Sequence, residues 1–219
     1  MPTTGRAGGS GRSWSPLCWS SCRQWVSPLL WKRRRWLRSC RNRRVEAGRE
    51  VTRVAVLGDT HIPRRARDLP PSAWTIIESA QLVIHTGDVT EHHLLEQIAA
   101  WRPLHAVRGN NDQDLDELPE ILELQIDGVA IAVIHDSGAS SGRRQRLRRR
   151  FPQARVAVFG HSHMPVCEDD GLMLLLNPGS PTDRRRMPSF TMAVLTVSEG
   201  TAIAEIIDLR LERASGAPW

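Results

Sequence analysis

With 219 residues the expected organisation is one domain of ordinary size plus an appendage, and the formal net charge of +6 is unevenly placed: residues 1–50 hold 12 Lys+Arg against 2 Asp+Glu, the remainder 18 against 22. No apolar run approaches the roughly 20 residues of a membrane span, which argues against an integral membrane protein. Beyond residue 50 the single cysteine, Cys167, excludes an intrachain disulfide and fits a reducing, cytoplasmic setting.

The leader, residues 1–50, also carries five of the eight tryptophans (Trp14, Trp19, Trp25, Trp31, Trp36). Arg23, Gln24 and Lys32 interrupt its apolar stretch, so it does not read as a secretory signal. Cys18, Cys22 and Cys40 lack nearby His and Cys-x-x-Cys spacing, which argues against zinc. Arginines interleaved with tryptophan permit binding to nucleic acid or an anionic membrane surface, through the leader alone. The expectation is that the leader is disordered or is not natively translated, with translation starting at Val51 read as an alternative start codon. The domain then covers 51–210, followed by a frayed tail at 211–219.

From Val51 the pattern is regular. Val54 to Leu57 is a short apolar run that stops at Gly58, with Asp59 and His61 directly after it. It reads as a buried strand whose exit presents two metal-capable side chains. An Arg-rich loop with Pro63, Pro70 and Pro71 leads to a helix capped by Ser72 and running through Ala80, with Ile76 and Ile77 inward. The next apolar run ends at Gly87-Asp88. Thr90 is expected to cap a helix from Glu91 to Ala100 with an apolar stripe of Leu94, Leu95, Ile98 and Ala99. Leu104 to Arg108 then leads into Gly109-Asn110-Asn111-Asp112. Strand, helix, strand, helix, strand implies parallel strands with right-handed crossovers.

Two β-runs, 121–126 and 129–134, flank Asp127-Gly128 and predict a hairpin whose second strand ends at His135. Residues 141–151 read as a helix. The strand after it ends in Gly160-His161-Ser162-His163, and Leu172–Leu176, Thr191–Val197 and Thr201–Leu209 are strand-like. Parallel units first and antiparallel strands later predict two packed sheets with helices outside.

Five apolar runs thus end in Asp, Asn or His. Ligands gather beyond the carboxyl ends of strands in open α/β sheets, so Asp59, His61, Asp88, Asn110, His135, His161 and His163 can converge on one site. One Gly-Asp after a strand is most often only a turn; seven N/O donors repeated at strand ends are not explained that way. A set without thiolates suits manganese first, and also Fe, Ni, Co or Zn. His85, His92, His93 and His105 sit inside predicted elements and read as packing or surface residues, with support of the ligands as the alternative for His85, two residues before Gly87. The arginine runs at 143–150 and 184–186 read as solvated faces, with steering of an anionic substrate as the alternative.

In this order, Gly58-Asp59-Thr60-His61, Gly87-Asp88, Gly109-Asn110, His135 and Gly160-His161-Ser162-His163 resemble the calcineurin-like metallophosphoesterases. The chain's size and Asn177-Pro178-Gly179-Ser180 are similar to their small bacterial and archaeal phosphodiesterase branch. The resemblance implies an α/β fold, a two-sheet β-sandwich flanked by helices in four layers, α/β/β/α. It implies two divalent ions: one on Asp59, His61, Asp88 and His163, the other on Asp88, Asn110, His135 and His161, with Asp88 bridging. Asp88, Asn110 and His161 are then the catalytic centre, and a hydroxide held by the ions attacks phosphorus in line with the leaving group. Arg108 and Asn111 are the candidate substrate contacts for a small phosphate ester, a diester before a monoester. Two departures stand out. Asn111 replaces the His that protonates the leaving group in many members, and asparagine cannot act as a general acid. Asp136 stands where small members often carry Gly. The alternative from another class is a non-catalytic scaffold on the same fold, against which the complete ligand set argues.

Overall fold

In the computed structural model, which describes residues 51–210, the β-branched runs pair into two five-stranded sheets. The expectations for the leader and for the tail at 211–219 lie outside the described residues. The first sheet runs β10-β9-β1-β2-β3, from β1 (Thr52–Leu57), β2 (Leu82–His85), β3 (Leu104–Ala106), β9 (Thr191–Ser198) and β10 (Thr201–Asp208). The second runs β4-β5-β6-β8-β7, from β4 (Ile121–Ile126), β5 (Val129–Ile134), β6 (Val156–Phe159), β7 (Val166–Asp169) and β8 (Leu174–Asn177).

Both sheets are mixed, which corrects the expected division into early parallel and late antiparallel strands. Strands β1, β2 and β3 are parallel, and β9 returns antiparallel along the other edge of β1, Ala55 opposite Val194. Val54 to Leu57 are wholly buried, so neither edge of β1 can leave its backbone groups unpaired. Likewise β5, β6 and β8 are parallel, with β4 and β7 antiparallel at the edges. Strand β7 has no counterpart in the sequence reading. Its residues, Val-Cys-Glu-Asp, are largely exposed and carry no apolar alternation.

The alternation of side chains sets the layers. Val54, Val56 and Ile84 of the first sheet meet Ile131, Val133, Val156, Val158 and Leu176 of the second in the central core. Their neighbours Ala55, Leu57 and Val83 face α1 (Pro71–Ser79) and α2 (His92–Trp101), which supply Ile76, Ile77, Leu94, Leu95 and Ile98. On the far side, Ala132, Ile134, Ala157 and Phe159 pack against Leu147 of α3 (Arg143–Arg150). The result is the expected α/β/β/α stack. It explains why the central strands read as continuous apolar runs: both of their faces are covered.

Details at the helix ends differ from expectation. Helix α1 opens on Pro70-Pro71, with no side-chain cap; proline at the first helical position lacks an N–H that would be orphaned there. The Ser72 hydroxyl instead donates to the Leu209 carbonyl, 3.3 Å away. Thr90 does not cap α2, whose N-cap is Glu91. Its backbone is left-handed (φ 78°) and its N–H is taken by Asp112. Ala99 is exposed, so the inward stripe is Leu94, Leu95 and Ile98. The 127–128 hairpin forms as expected, with Ile126 opposite Val129. Asp127 (φ 44°) and Gly128 (φ 80°) supply the two positive φ angles that a tight turn of this hand requires.

Candidate metal centre

Within each sheet the strand exits are fastened to one another before any side chain is considered. The Asp59 and His61 amides donate to the carbonyls of Gly87 and Asp88, both at 2.9 Å. Gly160 donates to the His135 carbonyl, also at 2.9 Å. Asp59, His61, Asp88, His161 and His163 all have positive φ, between 47° and 67°. A non-glycine residue held there costs on the order of 1 kcal/mol or more, and such strain concentrates where geometry serves a site. The exits also approach too closely for larger residues at four glycines, Gly58, Gly87, Gly109 and Gly160. A Cβ on Gly109 would lie 2.2 Å from Asp88 Oδ1, and one on Gly58 would lie 1.8 Å from Thr86 Oγ1.

The seven donors form two adjoining groups, each drawing on both sheets. Asp59 and His61 (after β1) meet His163 (after β6); Asp88 (after β2) meets His135 (after β5) and His161. His61 Nε2 lies 3.2 Å from His163 Nε2. Asn110 joins the second group, its Oδ1 3.0 Å from His135 Nε2 and 2.8 Å from His161 Nδ1. Asp88 stands between the groups. Its Oδ2 is 3.6 Å from His61 Nε2 and its Oδ1 is 3.5 Å from His135 Nε2.

The donor set fits divalent cations. Asp59 Oδ2 is buried without a hydrogen-bond partner among the described residues. Burial, with Asp88 nearby, pushes the Asp59 carboxyl up to about 8, the signature of a carboxylate that lacks a counter-charge. Burial would also raise Asp88, but His135, two hydrogen bonds from Asn111 and His61 outweigh it and hold this carboxyl below its usual range. Burial lowers His61 below its ordinary value and takes His163 down to about 4, which keeps these imidazoles neutral and able to ligate. His135 Nδ1 donates to the Thr86 carbonyl at 2.8 Å and His163 Nδ1 to the Asp183 carbonyl. Each bond fixes the tautomer that leaves an Nε2 lone pair facing the group. The first group is buried, whereas Asn110 and His161 of the second are exposed.

A supporting layer holds these donors, and the sequence reading missed its main member. Asp112, 1% exposed, accepts the Asp88 and Gly109 amides on Oδ2, both at 2.8 Å, and the Thr90 amide on Oδ1 at 2.7 Å. The only sequence signal was its place at the end of Gly109-Asn110-Asn111-Asp112. His85 is wholly buried at the end of β2, more than the packing residue expected. Its Nδ1 accepts the Gly87 amide at 3.1 Å, and its Nε2 meets Thr60 Oγ1 at 3.2 Å. The Asn177-Pro178-Gly179-Ser180 segment also acts here. Asn177 Nδ2 donates to the Gly160 carbonyl at 2.9 Å, and Ser180 Oγ to the Asp59 carbonyl at 2.8 Å.

The two candidate substrate contacts sit differently from each other. Asn111 turns inward, donating its amide to Asp88 Oδ1 at 2.8 Å and its side-chain Nδ2 to Oδ2 at 2.7 Å. Arg108 is bound by Asp116 (2.6 Å) and Glu120 (3.0 Å). It lines an open cleft of about 450 Å³ with Asn110, His135, Asp136 and Arg150, so the cleft opens on the second group. Asp136 closes its own loop, accepting the Gly138 amide at 2.7 Å. Most arginines of α3 are structural ties: Arg144 and Arg148 pair with Asp170, Arg146 binds the Ser137 and Ser141 carbonyls, and Arg143 lies over the Phe159 ring.

Residues 52–200 match the family model of the calcineurin-like phosphoesterase superfamily domain. A Methanothermobacter thermautotrophicus protein named "Probable metallophosphoesterase" is 33% identical over 157 residues, covering 70% of this chain and 91% of that one. A second, "Probable metallophosphoesterase MJ0623" of Methanocaldococcus jannaschii, is 38% identical over 132 residues, 59% of this chain and 68% of the other. Among solved structures, Vacuolar Protein Sorting 29 from Cryptosporidium parvum shares the fold, with a TM-score of 0.61 at 20% identity over 72% of this chain and 97% of that one. Among the described residues no helix is long and apolar enough to cross a membrane.

Proposed function

The chain belongs to the calcineurin-like phosphoesterase superfamily, and from that premise we propose that its 51–210 domain is a cytoplasmic phosphodiesterase working with two divalent cations, manganese foremost. The observation that carries this reading is Asp88, whose two carboxylate oxygens face imidazoles of two different groups, His61 at 3.6 Å and His135 at 3.5 Å. A carboxylate in that position would be shared by both cations. Asp59, His61 and His163 would complete the first set; Asn110, His135 and His161 the second. When bound, such ions polarise phosphoryl oxygens and supply an activated water.

The protein's own contribution is placement. The Thr86 and Asp183 carbonyls aim His135 and His163. Asn110 and His135 bring the second set to the solvent-facing cleft where a small phosphate ester can enter. Asn111, with two hydrogen bonds on Asp88, offers no proton to a leaving group. Diesters with good leaving groups are therefore the favoured substrates. The complete donor set argues against a scaffold role.

The test uses the full chain stripped of metal and resupplied with Mn²⁺, comparing an activated aryl phosphodiester with its monoester and taking Asp88→Ala as control. Metal-dependent diester cleavage that disappears in the variant is expected. A monoester preference would reverse the substrate assignment, and no activity with several metals would favour the scaffold reading.

A further inference from the structure

Thr86 uses every polar group it has except its hydroxyl. Its amide donates to the Leu57 carbonyl at 2.9 Å and its carbonyl accepts His135 Nδ1 at 2.8 Å, so the residue ties the exits of β1, β2 and β5 together. The side chain is wholly buried, and its Oγ1 has no hydrogen-bond partner among the described residues. Neighbouring threonine hydroxyls are engaged: Thr60 Oγ1 lies 3.2 Å from His85 Nε2, and Thr182 Oγ1 donates to the Thr60 carbonyl at 2.6 Å. Buried polar atoms rarely go unpaired, and each exception calls for a reason. A second exception stands beside the first. Asp59 Oδ1 accepts the His161 amide at 3.0 Å, while the equally buried Oδ2 has no partner among the described residues. Gly160 measures how close the two atoms are. A Cβ there would lie 2.5 Å from Thr86 Oγ1 and 3.1 Å from Asp59 Oδ2.

A donor and an acceptor left over at one buried place are complementary. We propose that Thr86 is a positioning residue whose hydroxyl donates to Asp59 Oδ2 as that carboxylate turns to ligate the first cation. The Asp59 Cβ–Cγ torsion is a broad one, so the turn needs no movement of the backbone. The bond gains most with an ionised, ligating carboxylate, because a charged acceptor makes a hydrogen bond roughly twice as strong. Thr86 then does for Asp59 what Asn111 does for Asp88 with its two hydrogen bonds. Its carbonyl already aims His135, so one residue serves both ligand groups. The inference deepens the proposed two-cation centre and rests on that reading for calling the occupant a cation.

Two full-chain variants test it, Thr86→Ser and Thr86→Ala. Both lose the methyl group, and they differ from each other only in the hydroxyl. The readouts are calorimetric Mn²⁺ affinity, the urea midpoint of the metal-free protein, and cleavage of an activated diester. Thr86→Ser is expected to keep Mn²⁺ affinity within about threefold of wild type, and Thr86→Ala to weaken one of the two binding events by about tenfold or more. The metal-free midpoint should run the other way. Alanine should be at least as stable as serine, which retains a buried hydroxyl without a partner. A merely structural hydroxyl would make Thr86→Ala worse than Thr86→Ser in both readouts. That pattern, or Mn²⁺ affinities of the two variants within about twofold of each other, would overturn the assignment. Wild type that binds no Mn²⁺ would overturn it together with the proposed function. If wild type cleaves the diester and the two variants bind Mn²⁺ alike, this inference fails alone. If wild type cleaves nothing while Thr86→Ala still binds Mn²⁺ more weakly than Thr86→Ser, the positioning role stands and the hydrolytic reading fails.

Discussion

Replacing Asp112 by asparagine probes the least visible part of the site, since Asp112 belongs to neither ligand group. Its two carboxylate oxygens accept three amides, those of Asp88, Gly109 and Thr90, at 2.7–2.8 Å in a buried position. Asparagine offers one oxygen in place of two. With that oxygen toward Asp88 and Gly109, the Thr90 N–H faces an NH₂ group and loses its partner. One lost bond to a charged acceptor, plus the weakening of two others to neutral strength, comes to about 3–4 kcal/mol. Relief of the like charge next to Asp88 offsets part of this, leaving an expected loss of about 3 kcal/mol. Against a typical total of roughly 5–15 kcal/mol the variant remains folded. The amides released are those that set the Asp88 backbone and the Gly109 turn, so Mn²⁺ affinity should fall by about ten- to a hundredfold. Urea unfolding at neutral pH and calorimetric Mn²⁺ titration of the full chain measure both effects. A variant within about 0.5 kcal/mol of wild type with unchanged Mn²⁺ affinity would refute the reasoning.

Three further outcomes are expected. Burial takes His85 from 6.5 to about 4. Its folded-state pKa is thus below the unfolded one, so its contribution is intact above pH 6.5 and is lost as the pH falls through about 4, by about 3 kcal/mol at most. Urea midpoints should fall more steeply across that window in wild type than in His85→Gln, and equal slopes would count against it. Chelation of the Mn²⁺-loaded protein should lower the unfolding midpoint, by about 2.7 kcal/mol per site when free metal stands at a hundred times Kd. Asp88→Ala should abolish that increment, and a midpoint indifferent to chelator would sink the cation assignment. Gly58→Ala places a Cβ 1.8 Å from Thr86 Oγ1 and should cost about 1–3 kcal/mol by overpacking. Adding Thr86→Ala should restore much of it, and the absence of any recovery would mean the clash lies elsewhere.

The four layers and the convergence of seven donors were legible because both rest on local grammar. Short runs such as Val54–Leu57 and Val156–Phe159 are apolar at every position, so they had to be covered on both faces, and each stopped at glycine followed by a donor. What the sequence hid depends on contacts between distant residues. Asp112 reads as one more acid in a polar loop, since accepting three amides has no signature in the chain. Thr90 reads as a cap, yet Asp112 takes its amide first. Arg108 beside Asn110 reads as a candidate phosphate contact, but its ion pairs with Asp116 and Glu120 have no signature in the chain. The return of β9 along β1 is a pairing between residues more than a hundred positions apart, and nothing in Thr191–Ser198 names its partner.

Each ligand group takes donors from both sheets, and this has a consequence for the order in which the chain assembles. His61 and His163 are 102 positions apart, so neither the first βαβ unit nor the 121–134 hairpin contains a cation site when it forms alone. Only when the two sheets dock do the strand exits meet. Contacts made after the folding barrier alter the escape rate and leave the approach rate unchanged. Bound cations would accordingly act as a latch, prolonging the lifetime of the assembled domain without hastening its assembly.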